Sequence, residues 1–370
     1  MDWMFLGGYD RAYPRNAVIR KGLEANGDRV AELSVRPSFK SWIRYPWLLA
    51  RALGGRRTRA FLRRADALYV PAFGQKDVPL ARFLAALAAR RVVFDPLASR
   101  FETKILDRGR RSPDSLTARW NRWIDLLSFR LSDIVLADTA AHADHYAAAY
   151  GVPRRKLVVV PVGYDDALFD PERPIPGTAP AAAPEAPCPG FTVLFFGSFL
   201  PLHGAPIIVE AARDVQGRDP SIRFLFVGSG DTWDEARSLA SELGSTNCSF
   251  EPWVPLTGLP RLIASADVAL GIFGRTDKAR RVVPHKVFQS LGMRRPVISA
   301  RTPAIEEFFT HGENIWLCDE PYPRTLADAI LRLKADPALR SRLAAAGHRT
   351  VKERFTPAAV ARILREGVRS

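Results

Sequence analysis

Lys286 and Gln289 lie one helical turn apart in the stretch PHKVFQSLGMRRPVIS, and that spacing puts an ammonium and an amide on one face of a helix. Val287, Ser290 and Leu291 fall on the other side, so the helix can dock through an apolar seam and leave the two polar groups accessible. Pro284 suits the opening of such a helix, because its φ is preset and it has no amide hydrogen to leave unpaired. A lysine in the first turn of a helix that begins at a cleft suits a phosphate, and the amide a turn later suits a sugar hydroxyl. A plain surface helix of an α/β domain would carry the same residues, and this stretch alone does not separate the two readings.

Four glycine loops point the same way. Gly7-Gly8, Gly197, Gly228 with Gly230, and Gly271 with Gly274 each follow an apolar run of strand type, so each brings backbone N–H groups to a helix N-terminus where an anion can sit. The order Gly228-Ser229-Gly230 lacks the spacing of a dinucleotide fingerprint, which argues against a nicotinamide cofactor, and there is no Walker A lysine motif. No D-x-D triplet occurs, which weakens the case for a carboxylate-held metal. Asp95 ends the run RVVFD and therefore stands at the carboxyl edge of a strand, where α/β sheets bind ligands. Its carboxylate could orient an acceptor hydroxyl or stabilise an oxocarbenium-like centre; a helix cap is the plainer reading. His142 and His145 fall on a helix and read as surface residues.

The elements that must position these groups alternate in type. Trp3 to Leu6, Arg29 to Leu33, Ala67 to Pro71, Arg91 to Asp95, Ile134 to Ala137 and Lys156 to Val160 are strand-like, with helical stretches between several of them, including Val78 to Ala89, Ser115 to Leu131 and Thr139 to Tyr150. The alternation restarts at Thr192 to Phe196 and continues through Phe224 to Val227, Val268 to Ile272 and Pro296 to Ser299. Between the halves, PERPIPGTAPAAAPEAPCPG has no apolar period and reads as a linker. The expected organisation is an N-terminal domain over 1–168, a Pro/Ala-rich linker over 169–190 and a C-terminal domain over 191–354, as two doubly wound α/β domains facing a cleft.

A chain of 370 residues with 47% hydrophobic and 25% charged residues is globular and long enough for two cores. Three scattered cysteines support neither a disulfide framework nor a zinc site and fit a reducing compartment. The N-terminus lacks the pattern of a secretion signal and no apolar run reaches spanning length, so neither a leader nor a spanning helix is expected. A net charge of +15 asks for an anionic partner: nucleic acid, acidic lipid or a phosphorylated small molecule. In KSWIRYPWLLARALGGRRTRAFLRR, Trp42, Tyr45, Trp47 and Leu48 stand beside Arg51, Arg56, Arg57 and Arg59, the mixture an interfacial helix needs to contact an anionic membrane. Pro46 and Gly54-Gly55 limit the length of any one helix there, and a domain helix with a solvated basic face is the alternative. Because the aromatics sit with leucines rather than along an arginine stripe, nucleic acid is not the expected partner.

Taken in order, FFGSFLPLHG, the GSG loop, the run from Ala266 to Gly274, PHKVFQSLGMRRPVIS with TPAIEEFF and GENIWL, and KERFTP resemble the nucleotide-sugar half of a GT-B glycosyltransferase of group 1 (GT4-like). The likeness is most specific over about residues 191–356 and looser over the first half, where Gly7-Gly8, GLEANGDRV and VGYDDALF fit the acceptor domain. It implies a Rossmann-like pair of domains, a retaining and metal-independent transfer with no cofactor, and a last helix (355–370) packed back on the first domain. Lys286 would then hold the donor diphosphate, with Gly7, Gly8, Gly197, Ser198, His203, Gly204, Gly228, Phe273 and Gly274 on the donor side, Trp253 and Val254 bordering the base, and Gln289 facing the ribose. Where the group usually has two glutamates eight positions apart, this chain has Arg281 and Gln289, and the usual loop lysine is His203. The expected partners are a nucleotide-sugar donor and a lipid-linked or glycan acceptor at the cytoplasmic face of the plasma membrane. A nucleotide-binding regulatory subunit without turnover, and a nucleotide-sugar epimerase, are the other readings.

Overall fold

The computed structural model describes residues 1–36, 38, 41–109, 112–173 and 190–369, with 41 and 42 described by backbone alone. The chain divides into two compact units, Met1–Gly163 together with Thr356–Ser370, and Tyr164–Phe355. Of the linker expected over 169–190, residues 174–189 lie outside the described residues.

The first unit is built on β1 (Asp2–Gly8), β2 (Arg29–Val35), β3 (Ala67–Val70), β4 (Arg91–Phe94), β5 (Ile134–Ala137) and β6 (Leu157–Val159), in the order β2-β1-β3-β4-β5-β6. Every pairing is parallel. Alternate residues of β1 serve two cores: Trp3 and Phe5 pack with Val18, Ile19 and Leu23, whereas Met4 and Leu6 pack with Leu80, Leu84 and Phe129. Both faces being covered by helices, the inner strands are apolar throughout rather than alternating. The final helix, Pro357–Arg369, joins this unit, its Val360 and Leu364 lying in the Trp3 core. It crosses the helix Pro14–Ala25 at Gly22, where a Cβ would meet the Pro357 carbonyl oxygen at 1.9 Å, so only glycine allows the approach.

The second unit holds β7 (Phe191–Ser198), β8 (Ile222–Ser229), β9 (Cys248–Glu251), β10 (Val268–Leu270), β11 (Val297–Ala300) and β12 (Trp316–Cys318), in the order β12-β11-β10-β7-β8-β9. These pairings too are all parallel. Phe195, Phe224, Phe226 and Ile298 form its core with Ile208, Val209, Leu326 and Ile330 from the helices Ala205–Arg218 and Pro323–Ala335.

Helix starts follow side-chain caps. The hydroxyls of Ser115, Thr139 and Thr302 accept from the N–H groups of Ala118, His142 and Ile305, an interaction that contributes on the order of 1 kcal/mol each. Two local expectations differ. The helix Ser41–Gly54 runs through Pro46, and the segment after Asp95, read as a loop, includes a helical turn over Glu102–Asp107.

Candidate functional site

Strand order in the second unit reverses between β7 and β10, and doubly wound sheets bind ligands beyond the carboxyl ends of the strands at such a point. Two loops meet there. After β7 the chain makes a tight turn, Pro201–His203, and enters the helix Ala205–Arg218 through Gly204 at φ +70°. After β10 it reaches Phe273 and Gly274, whose N–H groups donate to the carbonyls of His203 (3.0 Å) and Leu202 (3.2 Å). Backbone lies directly on backbone: a Cβ at Gly204 would stand 2.5 Å from Phe273 C, and one at Gly274 2.3 Å from Leu202 O. The β7–β8 register sets Gly197 beside Gly228, both at positive φ, and a Cβ on Gly228 would sit 2.0 Å from the Gly197 carbonyl oxygen.

Lys286 is delivered to this edge by the first turn of the helix His285–Gly292. Only 5% exposed, its ammonium stands 3.9 Å from the centre of the Phe195 ring and has no hydrogen-bond partner among the described residues. Its Cε passes 3.6 Å from where a Gly197 Cβ would be, so the missing side chain at Gly197 is what leaves the lysine its path. Burial pushes the Lys286 pKa well below the ordinary lysine range. His203, also buried, donates from Nδ1 to the Ser198 carbonyl. Burial, then the neighbouring charges of Lys286 and Lys278, hold its pKa well below the usual histidine value, so it is neutral at pH 7. An isolated buried ammonium costs several kcal/mol unless a charge or hydrogen bonds compensate it. The edge therefore gathers basic groups in a setting that only an anion would satisfy.

The expectation that Lys286 and Gln289 remain accessible on a docked helix is corrected: every residue from Lys286 to Gly292 is buried. Phe288 packs among Phe308, Phe309 and Phe355, and Leu291 lies under Gly347, which encloses the helix on both sides. Pro284 is the residue just before the helix. Trp253 follows β9 and is 56% exposed, Val254 beside it packs against Gly258, and Arg281 is half-buried. Lys278, not singled out in the sequence, is buried and its charge reaches His203.

The first unit treats its glycines differently. Its strand order reverses between β1 and β3, with Gly7-Gly8 at the end of β1, but the space beyond them is occupied by the chain itself. Gly8 N–H donates to Asp77 (3.0 Å), and Asp77 pairs with Arg44 at 2.7 Å, both side chains buried. A Cβ on Gly7 would lie 2.7 Å from Asp77 Oδ2, and one on Gly8 2.6 Å from Arg44 Nη1. Burial raises the Asp77 pKa to about 6 against the pull of Arg44. Gly7 and Gly8 thus hold an internal carboxylate. Asp95 ends β4 as read, and it is buried and bonded to Arg15 Nε (2.7 Å), Tyr69 OH (2.9 Å) and the Leu97 N–H (3.2 Å). His142 is buried against Asp138 (2.5 Å), not on the surface, and His145 bonds Glu102.

Trp47 is exposed, with Arg51 over its ring at 4.7 Å, and Arg56 and Arg57 are exposed at the start of the helix Arg56–Arg64; the Trp42 side chain lies outside the described residues. Among the described residues no helix is long and apolar enough to cross a membrane, and no group of three or more His, Cys, Asp or Glu could hold a metal ion.

Two family models divide the chain: one described as a glycosyl transferase 4-like domain matches residues 6–163, and one described as glycosyl transferase-like matches residues 206–366. The chain is 29% identical over 249 residues to a D-inositol 3-phosphate glycosyltransferase of Thermomonospora curvata, covering 63% of this chain and 56% of that one. It is 27% identical over 195 residues to the lipopolysaccharide core biosynthesis glycosyltransferase LpsD of Rhizobium meliloti, covering 52% and 53%. The matched stretch thus spans about half the length of these curated relatives. Among solved structures, Anabaena Alr3699/HepE in complex with UDP and glucose superimposes over 100% of both chains at a TM-score of 0.70 and 18% identity. Sucrose-phosphate synthase from Thermosynechococcus elongatus does so over 100% of this chain and 98% of that one at 0.66 and 14%.

Proposed function

Because the chain belongs to the group 1 GT-B glycosyltransferases, we propose that it moves a sugar from a nucleotide-diphosphate sugar to a lipid-linked or polysaccharide acceptor at the cytoplasmic membrane face. The observation that carries this reading is the unsatisfied Lys286 ammonium beside Gly197 at the β7/β10 reversal. A diphosphate bound there would supply the missing counter-charge, and Lys286 would in turn stabilise the negative charge that grows on the leaving group. Transfer breaks the bond between the anomeric carbon and the diphosphate oxygen, which keeps the electron pair. The acceptor oxygen bonds to the same face of that carbon and its proton leaves to the released diphosphate. Exposed Trp253 offers an aromatic face to the base. UDP is the ligand named for HepE and is the first base to try.

Incubation with a panel of nucleotide sugars and a membrane extract should consume one donor and move its sugar into the lipid or polymer fraction. Neither donor binding nor donor hydrolysis with any member would contradict the reading. A second reading keeps the nucleotide site without turnover and is motivated by Arg281 and Gln289, which replace two acidic positions. Stoichiometric UDP binding with no sugar transfer to any extract would favour it.

A further inference from the structure

The helix Leu116–Leu131 of the first unit carries an apolar stripe among basic residues on the side that faces water. Its packed side consists of Ala118, Asn121, Ile124, Asp125, Ser128 and Phe129. Asp125 is the helix's only acidic residue, and it points inward, accepting from Ser99 Oγ (2.8 Å) and from the N–H groups of Arg100 (3.0 Å) and Phe101 (2.8 Å). The outward side carries Leu116, Trp120, Trp123 and Leu126, which are 82%, 55%, 51% and 38% exposed. Their spacing of four, three and three residues aligns them in one stripe. Trp120 and Trp123 stack with ring centres 5.0 Å apart, and Arg119 and Arg122 flank them along the same shallow groove. No carboxylate pairs with either arginine among the described residues. A solvated helix face is ordinarily polar, so four exposed apolar side chains in one stripe set this face apart.

We propose that this face docks on an anionic lipid surface, with the two indole rings at headgroup depth, Leu116 and Leu126 reaching the acyl boundary, and Arg119 and Arg122 against lipid phosphates. The inference rests on the reading that the acceptor is membrane-borne, and it locates a lipid contact separate from the Trp47 region. Charge complementarity selects the occupant: two arginines with no carboxylate partner among the described residues border an apolar stripe that no acid interrupts. A carbohydrate could stack on the indoles and accept from the arginines, but it would leave Leu116 and Leu126 unused. Single-stranded nucleic acid could stack on the rings, but it would leave the leucines at both ends of the stripe unused.

The test is co-sedimentation of the full-length protein with vesicles of phosphatidylcholine containing phosphatidylglycerol and with vesicles of phosphatidylcholine alone. Wild type should sediment with the first and not with the second. The exposed-residue variants Trp120→Ser/Trp123→Ser and Arg119→Glu/Arg122→Glu should each bind anionic vesicles about tenfold more weakly or worse. UDP titration of the same variants should be unchanged, which shows that they fold and separates this inference from the donor-site reading. Equal sedimentation of wild type and variants, or no sedimentation of wild type, would overturn it. So would sedimentation velocity showing a wild-type dimer that the Trp variant converts to a monomer, because the face would then be covered by a second copy.

Discussion

Both sheets reverse strand order once, and both reversals carry glycines at the strand end, yet their contents are opposite. Beyond Gly7-Gly8 the first unit places its own carboxylate, Asp77, neutralised by Arg44. Beyond Gly197 the second unit places an ammonium, Lys286, with no hydrogen-bond partner and with His203 and Lys278 close by. A glycine loop after a strand only makes room for an anion. What decides whether the anion is a ligand or a side chain is the charge delivered from distant elements, and that charge separates two otherwise similar α/β units into one with a filled edge and one with an edge that needs an anion.

The sharpest way to break the comparison is to close the second edge. Gly228→Val would drive a Cβ to 2.0 Å from the Gly197 carbonyl at a φ of +144°, combining overlap and backbone strain. A loss of about 4 kcal/mol or more in denaturant-measured stability is expected, together with loss of UDP binding; a variant of wild-type stability would mean that β7 and β8 do not approach as described. The first edge should respond differently. Asp77→Ala leaves the buried Arg44 uncompensated and should cost roughly 3 kcal/mol of stability by chemical denaturation, with UDP affinity unchanged. Weakened UDP binding in that folded variant would instead make Gly7-Gly8 part of a donor site.

A subtler difference lies in pH. In the free protein the Lys286 pKa is depressed below its ordinary 10.5, so above the depressed value the folded chain has lost a proton that the unfolded chain keeps. Stability of the free protein should therefore rise with pH across the interval up to 10.5. A bound diphosphate favours the charged lysine, so binding should take up a proton, and UDP affinity should fall with rising pH by at most about tenfold per unit. Calorimetry in buffers of different ionisation enthalpy would detect the uptake. A flat profile with no proton exchange would show that Lys286 does not face the phosphates.

Much of the fold is legible in the chain because parallel strands buried on both faces are short continuous apolar runs. The run Ile134 to Ala137 is β5 with the same limits, and Thr302 caps the helix that follows β11 as its sequence suggests. The glycines at these strand ends were likewise visible as loop points, and Gly197, Gly204 and Gly228 stand at positive φ. What fills the space beside a glycine was not visible, because it comes from far along the chain: Asp77 is 69 residues from Gly8. Helical spacing placed Lys286 and Gln289 on one face correctly but could not tell that Phe288 and Leu291 would draw the whole helix inward. Asp95 and His142 show the same limit: residue type and strand-end position suggested chemistry or surface, while the partners Arg15, Tyr69 and Asp138 that bury them are set by packing.

The central claim is that the second unit's buried lysine awaits a diphosphate. It is tested most directly by Lys286→Met, which keeps an unbranched apolar side chain one atom shorter and removes the charge. UDP titration should show an affinity loss of about a hundredfold or more, while the thermal stability of the free protein stays level or rises, because an unpaired buried amine has been replaced by a thioether. Wild-type UDP affinity in a folded Lys286→Met protein would contradict the account.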